Sequence, residues 1–151
     1  MRTRRFKATA QIAVPAEAAF QWVSAPEHVK EVLEGVERWR PLGRAVGEGA
    51  RFDVVLHAFG LRLESVLMLD QWEPPRRIGW ISESGPIAQS GSWDFVPVPG
   101  GVEVTLELCY TPPGGGFASA LAGRLDALIV PRVERALEAM RLRLEERPSE
   151  A

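Results

Sequence analysis

Residues 6 to 14 put Phe6, Ala8, Ala10, Ile12 and Val14 on one side of an extended chain and Lys7, Thr9 and Gln11 on the other, the period of two expected of a half-buried β-strand. A helix is expected next. Pro15 suits its first turn, Glu17 complements its positive end, and Ala18, Ala19, Phe20, Trp22 and Val23 carry apolar content up to Ser24. Ser24-Ala25-Pro26-Glu27 has the spacing of a capping box, which predicts a second short helix ending near Gly35. Residues 36 to 112 show no helical period. Strand-like segments at 36–46, 50–59, 61–72, 76–84, 88–97 and 101–111 are separated by turn residues such as Gly60, Pro74-Pro75 and Pro99-Gly100-Gly101. With the first strand this makes seven, joined as consecutive antiparallel hairpins. After Gly114-Gly115-Gly116 the period changes. Ala118, Leu121, Leu125, Leu128, Ile129, Val133, Ala136, Met140 and Leu144 form the stripe of one long amphipathic helix, with Pro131 expected to bend or locally break it.

The last two strands carry the broadest apolar surface. Trp93 and Phe95 share one face of the first; Val102, Val104, Leu106, Leu108 and Tyr110 share one face of the second, with Glu103, Thr105, Glu107 and Cys109 opposite. The facing helix starts with small residues, FASALAG at 117 to 123, and becomes bulky later, at Leu137, Met140, Leu142 and Leu144. Two readings stand. The small residues leave a cavity at that end, or they let helix and sheet approach closely as in any packed core.

At 151 residues the chain fits one domain, read here as residues 1–147 with a short tail at 148–151, in which roughly 70% of the unfolded surface can be buried. A formal net charge of -2 and a single basic cluster, RTRR at 2 to 5, speak against a nucleic-acid footprint; the cluster reads as a solvated tail. The residues after it lack the continuous apolar stretch of a secretory signal, and no segment has the length of apolar sequence that a membrane span needs. Cys109 is the only cysteine, so no internal disulfide is possible and the chain reads as cytoplasmic.

The order strand, two short helices, six strands and a long C-terminal helix resembles the α+β helix-grip fold of the START-like (SRPBCC) superfamily, which includes polyketide cyclase/dehydrase-like and lipid-transport proteins. VPAEAAFQWVSAPEHVKEVLEGVERWRPLG resembles that superfamily's opening, GSWDFVPVPGGVEVTLELCYTPPGG its penultimate hairpin, and LIVPRVERALEAMRLRLEE its closing helix. The resemblance implies a curved antiparallel sheet gripping the helix, with a cavity between them. It implies no particular chemistry, because the superfamily holds carriers, ligand sensors and a minority of enzymes without one shared catalytic constellation.

Catalytic signals are sparse. His28 reads as a surface residue. His57 alternates with Val55 and Phe59, so it is either a pocket acid/base or an ordinary strand histidine. Neither a His/Cys pair with ligand spacing nor a G-x-S-x-G elbow occurs, so no metal or other cofactor is expected. Ser90 and Ser92 read as strand residues, Cys109 as an unactivated thiol, and Gly114-Gly115-Gly116 as a hinge. Tyr110 either orients a ligand carbonyl or hydroxyl or places its own hydroxyl in water, and Arg132 either meets a ligand acid or lays its stem along the core. The expected pocket lining is Trp39, His57, Trp80, Trp93, Phe95, Leu106, Leu108, Tyr110, Phe117, Leu121 and Leu125, the tryptophans offering flat surface to a ring or acyl chain.

Three functions fit this pattern. The first is binding or transport of a small hydrophobic molecule such as a lipid, isoprenoid, polyketide or aromatic metabolite. The second is a cyclase or dehydratase in which His57, Tyr110 or a pocket acid moves a proton, which requires polar side chains converging in the cavity. The third is an interaction module, which requires a filled interior and a contiguous exposed apolar patch. The oligomeric state cannot be read from these residues.

Overall fold

In the computed structural model, which describes residues 3–44, 46–58, 60–111 and 118–146, the opening alternation becomes β1 (Arg4–Ile12). Two short helices follow, α1 (Ala16–Ser24) and α2 (Pro26–Val32). Six strands come next: β2 (Val36–Pro41), β3 (Arg51–Ala58), β4 (Leu61–Glu73), β5 (Arg77–Ser84), β6 (Ala88–Val98) and β7 (Gly101–Thr111). The long helix α3 (Ala118–Glu146) closes the described chain. All strands form one antiparallel sheet in the order β1-β7-β6-β5-β4-β3-β2, so β2 to β7 pair as successive hairpins and β1 returns to cover the edge of β7. This is the α+β helix-grip architecture, a curved sheet wrapped around α3.

Three local expectations change. Arg4 and Arg5 are strand residues rather than a solvated tail, because Arg4 pairs with Tyr110 and Arg5 with Cys109 in the β1–β7 ladder. β2 ends at Pro41 instead of continuing to 46, since Gly43 turns the chain at a φ of 102°. The capping box does not form: Ala25 is the N-cap of α2, Pro26 occupies its first turn, and the Ser24 hydroxyl donates to the Phe20 carbonyl one turn back. The helix assignment of α3 continues through Pro131, where the missing N–H leaves one ladder bond unmade.

That packing defines the filled part of the interior. Val133, Ala136, Leu137, Met140 and Leu144 of α3 are buried with Ile12, Phe20, Phe95, Val102 and Val104 in one apolar cluster. Ala19 and Ala136 are fully buried, and their small side chains bring the backbones of α1 and α3 close to the core. Phe20 stands edge-on to Phe95 at 5.5 Å and to Trp72 at 5.0 Å, so α1 is keyed to the sheet by aromatic contacts.

Candidate functional site

Beside that cluster the interior is open. A cavity of about 200 Å³ lies between the concave face of the sheet and the helices. Alternate residues of the central strands supply its floor: Phe52, Val54 and Leu56 from β3, Leu63, Ser65, Leu67 and Leu69 from β4, and Ile78 and Trp80 from β5. Val29 and Leu33 close one side, and Leu128, Ile129, Arg132 and Val133 of α3 close another. The α3 contribution flanks Pro131, whereas the turns beyond Val133 belong to the packed cluster.

Of the residues expected to line the pocket, Trp39, Trp80, Trp93, Leu106, Leu108 and Tyr110 meet around this space. Phe95 is not in its lining; it is 2% exposed and packs against Phe20 in the filled cluster. His57 is also absent from the lining. It lies on the opposite face of β3 from Leu56 and Ala58, half exposed, with its Nε2 2.9 Å from Glu37 Oε1. The period of two decides this, since Leu56 and Ala58 face inward and their neighbour must face out. Arg62 and His57 together hold the Glu37 carboxyl down at about 2 through hydrogen bonds, a surface ion-pair group. Phe117 lies outside the described residues, as do the side chains of Leu121 and Leu125, the FASALAG stretch and the glycine triplet. His28 is half-buried rather than simply superficial: its ring stacks on Trp22 at 4.7 Å, and Nδ1–H donates to the Trp22 carbonyl at 2.8 Å.

The β3, β4 and α2 contributions were missed in the sequence, because Val55, Val66 and Met68 put apolar residues on the other face of β3 and β4 and blur the alternation that is clear in β7. Their period marks an inward face, but nothing in it separates cavity wall from packed core.

Polar groups at the cavity are few and mostly engaged. Tyr110 is 2% exposed, and its hydroxyl donates to Asp126 of α3. Arg4 of β1 donates to the same carboxylate, so three elements meet at one ion pair. Burial and then the bond to the Asp126 anion push the Tyr110 phenol well above its ordinary value. Burial opposes ionisation of Asp126, but the hydrogen bonds from Arg4 and Tyr110 and the charge of Arg4 outweigh it and hold the carboxyl below its usual range. Arg132 Nη1 donates to the His57 carbonyl at 3.1 Å, and Arg135 binds Glu34 with one bond of 3.0 Å. Ser65 and Gln89 also line the cavity and, among the described residues, their side chains make no hydrogen bond, and Trp80 leaves one polar atom unmet. Its Nε1 is buried and, among the described residues, has no hydrogen-bond partner.

The Tyr110 contact carries a pH dependence. A phenol that holds its proton more tightly when folded adds stability that is complete below its unfolded pKa of about 10 and is lost as pH rises beyond it. Tyr110→Phe is therefore expected to cost about 1 kcal/mol at neutral pH and to remove this part of the alkaline loss. Denaturant titrations of both proteins between about pH 8 and pH 11 check it; parallel curves would refute the assignment.

A family model described as "Polyketide cyclase / dehydrase and lipid transport" matches residues 3–145. The chain belongs to this family. Solved structures agree on the fold of this cyclase/dehydrase and lipid transport family member. TTHA0849 from Thermus thermophilus is 24% identical with a TM-score of 0.82, over 93% of this chain and 97% of the other. Zhui aromatase/cyclase from a Streptomyces species is 17% identical with a TM-score of 0.83, over 97% and 96%. A START superfamily protein from Mycobacterium smegmatis is 18% identical with a TM-score of 0.70, over 93% and 98%. No curated protein matches. In this family member, among the described residues, no helix is long and apolar enough to cross a membrane, and no group of three or more His, Cys, Asp or Glu could hold a metal ion.

Proposed function

We propose that this family member binds and carries a small hydrophobic molecule, a lipid, isoprenoid, polyketide or aromatic metabolite, in the cavity between sheet and α3. The observation that carries the reading is an apolar space of about 200 Å³ between the sheet and the helices. Leaving such a space unfilled forfeits contacts with no structural return, whereas an apolar guest recovers about 25 cal/mol per Å² of surface it removes from water. A dry apolar cavity on the order of 150 Å³ is enough for a benzene ring, so the space suits one or two rings or a short acyl segment. A cytoplasmic setting belongs to the same proposal and rests on the lone cysteine.

Carriage is favoured over turnover because the ionisable groups of the lining are committed elsewhere: Tyr110 to Asp126, Arg132 to the His57 carbonyl, and Glu34 to Arg135. A cyclase reading draws support from the likeness to an aromatase/cyclase. It would have to recruit Tyr110 or Glu34 by breaking one of those bonds. An interaction module is the least supported reading, since it calls for a filled interior, and the exposed large apolar residues, such as Leu61, Val96 and Leu142, lie on different elements.

The test is native mass spectrometry of the purified protein, compared with a Leu108→Trp variant that fills the cavity from β7. A recurring apolar species on the unmodified protein, reduced more than about tenfold in the variant, supports the reading. Equal loading of both proteins, or none on either after exposure to apolar candidates, sinks it.

A further inference from the structure

Two neutral side chains at one end of the cavity are left to meet the guest. Ser65 of β4 lies opposite Val54 and Gln89 of β6 lies opposite Tyr110; both line the cavity and both are partly buried. They flank the end of β5 from its two neighbouring strands. Gly85 turns the chain there at a φ of 129°, and a Cβ built on it would lie 2.7 Å from Ser65 Cβ, so the β5–β6 turn is packed onto Ser65. The backbone N–H of Gln89 donates to Ser82 Oγ at 2.9 Å and ties the start of β6 to β5. Among the described residues neither side chain makes a hydrogen bond, and neither has a polar atom buried without a partner, as Trp80 Nε1 is. The hydroxyl and the amide therefore face open space. The opposite end of the same strands gives the cavity Leu69, Trp72, Ile78 and Trp93, an aliphatic and aromatic wall.

We infer that Ser65 and Gln89 together receive a neutral hydroxyl at one end of the guest, so that the cavity prefers apolar alcohols to hydrocarbons of the same shape and holds them with the apolar body towards Trp72 and Trp93. The inference rests on the cavity being a ligand site. Serine and glutamine each offer a donor and an acceptor, and a hydroxyl both gives and takes, so one such group answers both side chains. The other polar groups of the lining are engaged: Ser24 donates to the Phe20 carbonyl, Tyr110 to Asp126 and Arg132 to the His57 carbonyl, while Arg135 holds Glu34. The end group is neutral because β4, β5 and β6 give the lining no charged side chain. A carboxylate between Ser65 and Gln89 would be desolvated without a counter-ion.

The test uses 2-naphthylmethanol and 2-ethylnaphthalene, which differ by a hydroxyl against a methyl group. Dissociation constants of both are measured on the unmodified protein, on Ser65→Ala and on Gln89→Leu. Each substitution is expected to move the ratio of the two constants about fivefold against the alcohol, the size of one net hydrogen bond. Continued binding of 2-ethylnaphthalene shows that the variant cavity is intact. If both compounds bind and the ratio stays fixed, the inference falls while the ligand-site reading stands. A shift in one variant alone overturns the pairing of the two side chains. If neither compound binds any of the three proteins, the inference and the ligand-site reading both fall. The anion 2-naphthoate supplies the charged alternative: tighter binding of it than of the alcohol, lost in Arg132→Gln, would move the polar end to α3 and overturn the assignment.

Discussion

Gly91→Ala is expected to destabilise the fold by about 3 kcal/mol, the upper end of what overpacking costs, although it adds a single methyl group. Gly91 lies in β6 between Trp80 of β5 and Leu108 of β7. The new Cβ would press on the Trp80 ring on one side and come within 2.6 Å of the Glu107 carbonyl oxygen on the other. The ring can rotate away; the carbonyl belongs to the β6–β7 ladder and cannot move without loosening it. Combining Gly91→Ala with Trp80→Ala should therefore recover only the ring's share of the cost. Urea or guanidinium titration of the two single variants and the double variant measures that share as a coupling energy. A Gly91→Ala protein as stable as the parent would mean that the indole does not lie across β6, and the orientation of Trp80 in the cavity would have to be abandoned with it.

Phe95→Ala is expected to cost about 3–5 kcal/mol, because an almost fully buried aromatic side chain is removed from between α1 and the sheet and the surrounding backbone cannot collapse into the gap. Its effect on ligand affinity should stay within about threefold, since Phe95 does not itself line the cavity. Leu108→Trp should show the reverse pattern, with altered binding and a smaller change in stability. The pair separates the two halves of the interior by experiment: denaturation midpoints report one, ligand titrations the other. Loss of binding in folded Phe95→Ala protein would show that the cluster and the cavity act as one unit.

The contrast between Phe95 and Leu108 also shows how far the chain's own pattern reaches. Both residues alternate with polar neighbours, both face inward, and the sequence assigns them to one wall. Register separates them. Phe95 is opposite Val104 and under α1, whereas Leu108 is opposite Gly91, where β6 contributes no side chain. His57 shows the same limit from the other side. Its neighbours Val55 and Phe59 are apolar, which makes an inward face plausible locally. Leu56 and Ala58 line the cavity, however, so the face bearing His57 is the outer one. Buried Val55 on that outer face is what makes the pattern ambiguous along the strand.

Tyr110 illustrates a polar group whose role depends on a distant residue. Its inward position on β7 follows from the alternation with Glu107 and Cys109. That its hydroxyl is occupied by Asp126, with Arg4 on the same carboxylate, depends on how α3 and β1 are laid against β7. Trp80 is the converse case. In the sequence it offers flat apolar surface only; in the fold its ring is partly buried at the cavity and its Nε1 is covered without a hydrogen-bond partner among the described residues.

Periods of 2 and 3.6, broken by glycine and proline, were enough to determine the element order, the antiparallel hairpins and the inward face of β7, because these depend on contacts between residues near in sequence or on a simple inside and outside. The cavity, the placement of His57 on the outer surface and the unpartnered indole were decided by the tertiary structure alone. Each depends on which side chains from β3 to β7 and α3 share one volume. Free volume and unmet hydrogen bonds are properties of the assembled set, so no single segment carries them.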